Sequence, residues 1–312
     1  MKVAITGSSG LIGRALTASL QADGHEVVRL VRRAPLAAGE ARWDPRAADA
    51  GVGGDMATTP LRGVGACVHL AGAGVGDHRW TSSYKAEIRA SRVLATRALA
   101  AALTRLDPPP RVLVAASAIG RYGDTGGRYG DTGGRDVTED APPGDGFLPR
   151  LVRDWEAAAG PAAEAGIRTA HVRSGLVLNR SGGVLARLAL PARLGLLPRF
   201  GDGSQAVSWI SLTDEVRAIR FLLDDDGQDG PFNLTAPNPV TNDELTAALH
   251  NAFGRPDFRW LRVPAPLLRL ALGEMSSELL TSVRVAPRRL AAAGFEFRYP
   301  TLSEALAAEL RG

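Results

Sequence analysis

The residues with the most direct chemical meaning stand near the start of the chain. Val3-Ala4-Ile5-Thr6 is a short apolar run that leads into Gly7-Ser8-Ser9-Gly10-Leu11-Ile12-Gly13, and a helix-compatible stretch follows from Arg14 to Ala22. Glycines at these spacings let the backbone reverse tightly, approach a pyrophosphate and pack a helix on a strand, while free N–H groups at the helix start face the phosphate charge. Gly24-His25-Glu26-Val27-Val28-Arg29-Leu30-Val31 then supplies a second strand at the separation a strand-helix-strand unit requires. The pattern predicts a dinucleotide-binding turn. An acid after the second strand would bind a ribose 2′-hydroxyl, but Arg32 and Arg33 stand there, and guanidinium forks suit a 2′-phosphate. NADP(H) is the expected cofactor, with Arg32, first after the strand, as the leading phosphate contact.

These groups need a scaffold, and strand and helix signals keep alternating along the chain. Residues 66–73, 111–117 and 169–173 read as buried strands, 230–234 as a late one, and 82–106 and 148–165 as helices. That alternation predicts an α/β fold, a doubly wound parallel sheet with helices on both faces. Ligands of such sheets collect at the carboxyl ends of the strands, so Gly72, Ser117 and Ser174 should share a crevice with the glycine turn. There Ser117 would orient a substrate carbonyl, and Tyr122, in the loop after the same strand, would donate a proton. Asp77, His78 and Arg79, just beyond the Gly72 turn, offer an acid, a base and an anion contact. Lys85 and Arg89, one helical turn apart, read as a solvated face, the alternative being a cationic face toward an anionic ligand. Residues 182–200 look like a pocket-covering helix and turn. Asp214 and Glu215 begin a helix, where the helix dipole accounts for carboxylates. The expected organisation is a cofactor-binding domain over 1–235, with 174–206 contributing to the substrate pocket, and a smaller C-terminal subdomain over 236–312.

Composition narrows the function classes. The net charge is +4, but only Lys2 and Lys85 are lysines, and the arginines are scattered among acids without a basic run or stacking aromatics. A nucleic-acid partner is not expected. Cys67, the single cysteine, lies in an apolar strand pattern and reads as a core residue. The five histidines are far apart, so no metal is expected. No apolar run approaches a membrane span, and the first residues already form a strand, so the expectation is a cytoplasmic protein away from membranes. Its expected partners are a small-molecule substrate and a second copy of the chain in a homodimer. Residues 121–127, Arg-Tyr-Gly-Asp-Thr-Gly-Gly, are repeated at once as 128–134. Such turn-formers make a loop, read here as a tolerated duplication on the surface, with a mobile lid that lengthens the active-site rim as the alternative.

Together, GSSGLIG, HLAGAGVGDHRW with the following YKAEIRASRV, ASAIGRYG, DWEAAA, VRSGLVL and GFEFRYP resemble the epimerase-like atypical short-chain dehydrogenase/reductases over nearly the whole chain. The resemblance implies a Rossmann core, NADP(H), and a C-terminal region shaping the substrate pocket. It assigns Gly7, Ser9, Gly10, Leu11, Ile12 and Gly13 to the pyrophosphate and Arg32 to the adenosine phosphate, with Arg33 beside it. Leu70, Ala71 and Gly72 would border the riboses with Arg79 nearby, and Ser117 would hold the place of the active-site hydroxyl. One departure is plain. The wider superfamily pairs a tyrosine with a lysine four residues later, yet Tyr84, Tyr122, Tyr129 and Tyr299 all lack Lys or Arg at that position. The implied activity is an oxidoreductase or epimerase on a small polar or sugar-like substrate, without that dyad; the alternative is a nonenzymatic NADP(H) redox sensor.

Overall fold

A computed structural model of the chain describes residues 1–45, 58–123, 136–257 and 261–310. Seven parallel strands form its central sheet: β1 (Lys2–Thr6), β2 (Glu26–Val31), β3 (Glu40–Arg42), β4 (Ala66–His69), β5 (Val112–Ala118), β6 (Arg168–Ser174) and β7 (Gly230–Leu234). Their spatial order is β7-β6-β5-β4-β1-β2-β3. The order reverses at β1, between β4 and β2, and a crevice opens there at the carboxyl ends of the strands. This is the doubly wound Rossmann-like α/β fold expected from the sequence.

Strand pleating sends successive side chains to opposite faces, so one apolar run feeds two cores. Val3 and Ile5 join Val68, Val114, Val172 and Phe232 on one face, under helices α1 (Leu11–Ala22) and Leu212–Asp224. Ala4, Cys67, Leu113 and Ala115 pack on the other with Leu99 and Leu103. Cys67 is fully buried, and burial pushes its thiol up to about 12, as suits a core residue.

The stretch expected as one helix over 82–106 is divided. It runs as α2 (Ser82–Arg89), a single π turn over Ala90–Leu94, and α3 (Ala95–Leu103). The next helical stretch is likewise split into α4 (Phe147–Ala157) and α5 (Gly160–Glu164). β3, an edge strand of three residues, has too little periodicity to stand out in the sequence. The duplicated loop beyond Gly123, with Tyr129, lies outside the described residues.

After β6 the chain leaves the sheet. Residues 176–178 pair with 209–211 within this excursion, while 199–200 pair with 262–263 and 206–207 with 240–241, tying it to the residues after β7. Their shared core holds Leu178, Leu185 and Trp209 against Leu245, Leu249, Leu302 and Leu306. Between them lie α6 (Gly183–Arg193), α7 (Leu212–Asp224), α8 (Asn242–Ala252) and α9 (Ala265–Leu272).

Asp214 does more than complement a helix dipole. It is fully buried in the first turn of α7, and its carboxylate accepts from the backbone N–H groups of Arg298 and Tyr299 at 2.8 and 2.9 Å. Arg217 adds a further bond at 2.8 Å. The side chain clamps the C-terminal segment to the sheet, and truncating it would leave buried donors unpaired. Asp214→Ala should therefore lower unfolding stability by about 3 kcal/mol in urea titration.

Candidate active site

The glycine turn is set by close contacts. Gly7 has φ +67°, and a Cβ there would come within 2.6 Å of the Leu70 carbonyl carbon, at the end of β4. A Cβ on Gly13 would lie 2.2 Å from the Gly7 oxygen, so only glycine lets α1 approach its own loop this closely. Ser9 and Gly10 are exposed, and Leu11 and Ile12 half-buried. Leu11 reaches to within 3.3 Å of where a Cβ on Gly182 would stand, so the excursion after β6 does come down onto the turn. At the end of β4, the Thr6 hydroxyl lies within hydrogen-bond distance of the Leu70 and Ala71 N–H groups, at 3.2 and 3.3 Å. That contact fixes the start of the exposed Gly72 turn.

The two arginines after β2 have separate fates. Arg33 makes a bidentate pair with Glu40 of β3, both bonds 2.8 Å, and its guanidinium holds that carboxyl well below the usual range. Arg32 is exposed, and no described residue pairs with it. Of the two, only Arg32 offers a free guanidinium beside the turn.

Ser117 and Tyr122 are drawn into the interior. Glu156 of α4 and Arg173 of β6 form a buried bidentate pair at 2.7 and 2.9 Å, and the Ser117 hydroxyl donates to the same Glu156 at 2.7 Å. Burial alone would raise the Glu156 carboxyl, but Arg173 outweighs it with help from Ser117, and the group is held below its ordinary value. Tyr122, expected near the nicotinamide as a proton donor, is fully buried against Val283 and Val285. Its hydroxyl donates to Asn233 and accepts from Arg173, both at 2.7 Å, and burial pushes the phenol up. The apolar ring and a saturated hydroxyl fit this place in the core, and they turn the tyrosine away from the crevice.

The charged residues beyond Gly72 tie the mouth of the crevice together. Asp77 pairs with Arg187 of α6 at 3.1 Å, Arg79 donates to the Leu270 carbonyl of α9 at 3.0 Å, and Lys85 pairs with Glu274. Arg79, expected near the cofactor riboses, thus bridges to the C-terminal residues. His78 meets the Tyr84 ring edge-on, with ring centres 4.9 Å apart, and Arg89 pairs with Asp154 of α4. A surface cavity of about 320 Å³ is lined by His78, Arg79, Thr81, Ser83, Tyr84 and Glu87, and none of the glycine-turn residues lines it. No described cluster of His, Cys, Asp or Glu has the geometry of a metal site. No described helix is long and apolar enough to cross a membrane.

Two buried groups carry no signal in the sequence. Arg92 in the π turn is nine-tenths buried against Trp155 and the Gly72 turn. Glu215 is fully buried, accepts from Ser174 through one carboxyl oxygen, and has no partner on the other. Both read in the sequence as ordinary helix-surface charges.

Comparison with known proteins matches this geometry. The model of the NAD dependent epimerase/dehydratase family covers residues 3–235, and a domain of unknown function, DUF1731, covers 263–309. The chain belongs to the NAD dependent epimerase/dehydratase family. It is 43% identical to epimerase family protein MT2273 of Mycobacterium tuberculosis over 97% of this chain and 96% of that one. It also matches the crystal structure of human epimerase family protein SDR39U1 (isoform2) with NADPH, at TM-score 0.88 and 32% identity over all of both chains. A nucleoside-diphosphate sugar epimerase from Corynebacterium glutamicum matches at TM-score 0.78 and 37% identity, covering 99% of this chain and 58% of that one.

Two measurements test the buried groups. Glu156→Gln or Arg173→Met breaks a buried ion pair and should cost about 3–5 kcal/mol in chemical denaturation. Burial pushes the Glu215 carboxyl up to about 8 from an ordinary 4.5, so the folded state keeps its proton where the unfolded chain has lost it. Stability should fall as pH rises through that window, by up to about 1.4 kcal/mol per unit. Glu278, raised to about 7 by burial, adds a decline of the same sign. Glu215→Gln should flatten the Glu215 share, leaving that of Glu278, in thermal melts from pH 5 to 8.

Proposed function

We propose that the chain is an NADP(H)-dependent oxidoreductase or epimerase acting on a small polar or sugar-like substrate without a Tyr-x-x-x-Lys relay. The observation that carries the cofactor assignment is the arrangement after β2, where Arg32 is free beside the glycine turn and Arg33 is engaged by Glu40. The contacts at Gly7 and Gly13 fit the same reading, since side chains there would collide with backbone and open the tight turn whose N–H groups would face a pyrophosphate. The NADPH in the human relative's structure supports it as well. When bound, the cofactor supplies a hydride. In this reading Gly7, Ser9, Gly10, Leu11, Ile12 and Gly13 hold the pyrophosphate, Arg32 holds the 2′-phosphate, and Leu70, Ala71 and Gly72 border the riboses. Residues 1–235 serve as the cofactor-binding unit and 236–312 as the substrate side, to which 174–206 contribute.

A second reading, a nonenzymatic redox sensor, draws support from one observation. Both hydroxyls expected to act on the substrate, Ser117 to orient its carbonyl and Tyr122 to donate a proton, are committed to the buried ionic network. The two readings part on turnover. An enzyme consumes NADPH when offered its substrate, whereas a sensor binds it and stops.

The cofactor assignment is tested by titrating the protein with NADPH and NADH, following energy transfer from tryptophan to the reduced nicotinamide. NADPH should bind preferentially. Loss of a charge-assisted phosphate contact at Arg32→Ala should weaken NADPH about tenfold and leave NADH unchanged. Arg33→Ala should change NADPH affinity far less. Equal affinity for the two cofactors, or no effect of Arg32→Ala, overturns the assignment.

A further inference from the structure

Arg92 is the buried cation that the interior network does not explain. It sits in the π turn over Ala90–Leu94, between α2 and α3, and only 9% of its surface is exposed. Among the described residues no carboxylate pairs with it. Its single hydrogen bond runs to the Ile88 carbonyl at a long 3.4 Å, although a guanidinium offers five donors. Every other buried arginine of the site, Arg173 above all, is matched to a carboxylate.

The surroundings hold this group in place. Its carbon lies 5.1 Å from the centre of the Trp155 ring of α4, and the Trp155 indole N–H is itself tied to Thr96 at 3.0 Å. On the opposite side, a Cβ on Gly72 would lie 3.2–3.4 Å from the guanidinium atoms. The exposed Gly72 turn thus lies close against the cation, and a side chain there would press on the guanidinium. The neighbouring Ser91 hydroxyl accepts from the Ala73 N–H at 3.1 Å and fixes the same turn. A π turn changes which side chains face inward relative to an uninterrupted helix, and such turns recur at functional sites.

A plug for this space would be apolar, because burying an unpaired cation opposes folding. Burial lowers the Arg92 guanidinium to about 10, so it keeps its charge at neutral pH. An unsatisfied, rigidly held cation beside the turn after β4 is a group waiting for an anion.

We propose that Arg92 anchors an oxyanion of the substrate, a carboxylate or phosphate, at the Gly72 turn. This rests on the reading of the crevice as the substrate site of an NADP(H)-dependent enzyme. In that setting Arg92, reaching in from between α2 and α3, supplies a fixed positive charge in a chain that has no dyad lysine on α4. It is a substrate-binding group, and no proton transfer is asked of it.

The test uses the full-length protein without cofactor. Malonate and inorganic phosphate are titrated separately at constant ionic strength with sodium chloride, following the thermal midpoint and tryptophan fluorescence. The wild type should respond saturably to at least one of them, and the better probe distinguishes carboxylate from phosphate. Arg92→Met keeps the length of the stem and removes the charge, so it should weaken that response at least tenfold. Its own thermal midpoint without anion should equal or exceed that of the wild type, which a merely structural arginine would not allow. Should Arg92→Met fail to fold, Arg92→Lys decides; it keeps the charge but loses the planar fork, and should weaken the anion response about fivefold or more. No saturable response in the wild type, or an equal one in the variant that folds, overturns the proposal. Failure of the NADPH titration would leave these anion results standing, so the two readings fail separately.

Discussion

The bidentate contact between Arg173 and Glu156 joins more of the molecule than any hydrophobic contact at the site. Arg173 comes from β6 and Glu156 from α4, and the pair collects Ser117 from β5, Tyr122 from the turn after it and Asn233 from β7. The Arg173 guanidinium also donates to the Glu139 carbonyl, and the Glu139 carboxylate accepts from the N–H groups of Asn233 and Arg289. Strand ends, α4 and the C-terminal segment are thereby held in one register. In an interior of low dielectric each member is costly to leave unpaired, so the network stands or falls as a unit.

At the mouth of the crevice the same residue types behave differently. Asp77–Arg187 and Lys85–Glu274 are more exposed, and pairs of this kind contribute about 0–1 kcal/mol each. They join the loop after β4 to α6, and α2 to the residues after α9, without fixing either firmly. The site therefore combines a rigid floor, made of buried charge pairs and the glycine turn, with a lightly tied rim.

The contrast shows what the sequence could reveal. The glycine turn is legible because its constraint is local: Gly7, Gly10 and Gly13 meet one another and the end of β4 through the backbone. The sheet is legible because runs such as residues 66–68 are apolar on both faces, as a covered parallel strand must be. Ser117 and Tyr122 were readable as residues at a strand end but not by direction, because their partners Glu156 and Asn233 lie 39 and 111 positions away. Arg92 was unreadable for another reason. Residues 82–106 carry a continuous helical pattern, and nothing in that pattern marks the π turn that changes which of its side chains face inward.

These placements constrain the chemistry available to the proposed enzyme. The Ser117 proton is given to a carboxylate held in its ionised form, so its hydroxyl has no proton left to offer a substrate. The Tyr122 proton is given to Asn233, and Arg173 fills its acceptor side. Neither Ser117 nor Tyr122 is thus free to protonate a carbonyl held at the crevice, where the exposed backbone of the Gly72 turn lies with the Arg92 guanidinium behind it. A fixed positive charge there orients a substrate through its carboxylate or phosphate and leaves the proton transfer of the relay to be supplied elsewhere. A rim tied by largely exposed contacts leaves room for that proton to come from solvent, from the substrate's own acidic group or from an exposed rim residue such as His78.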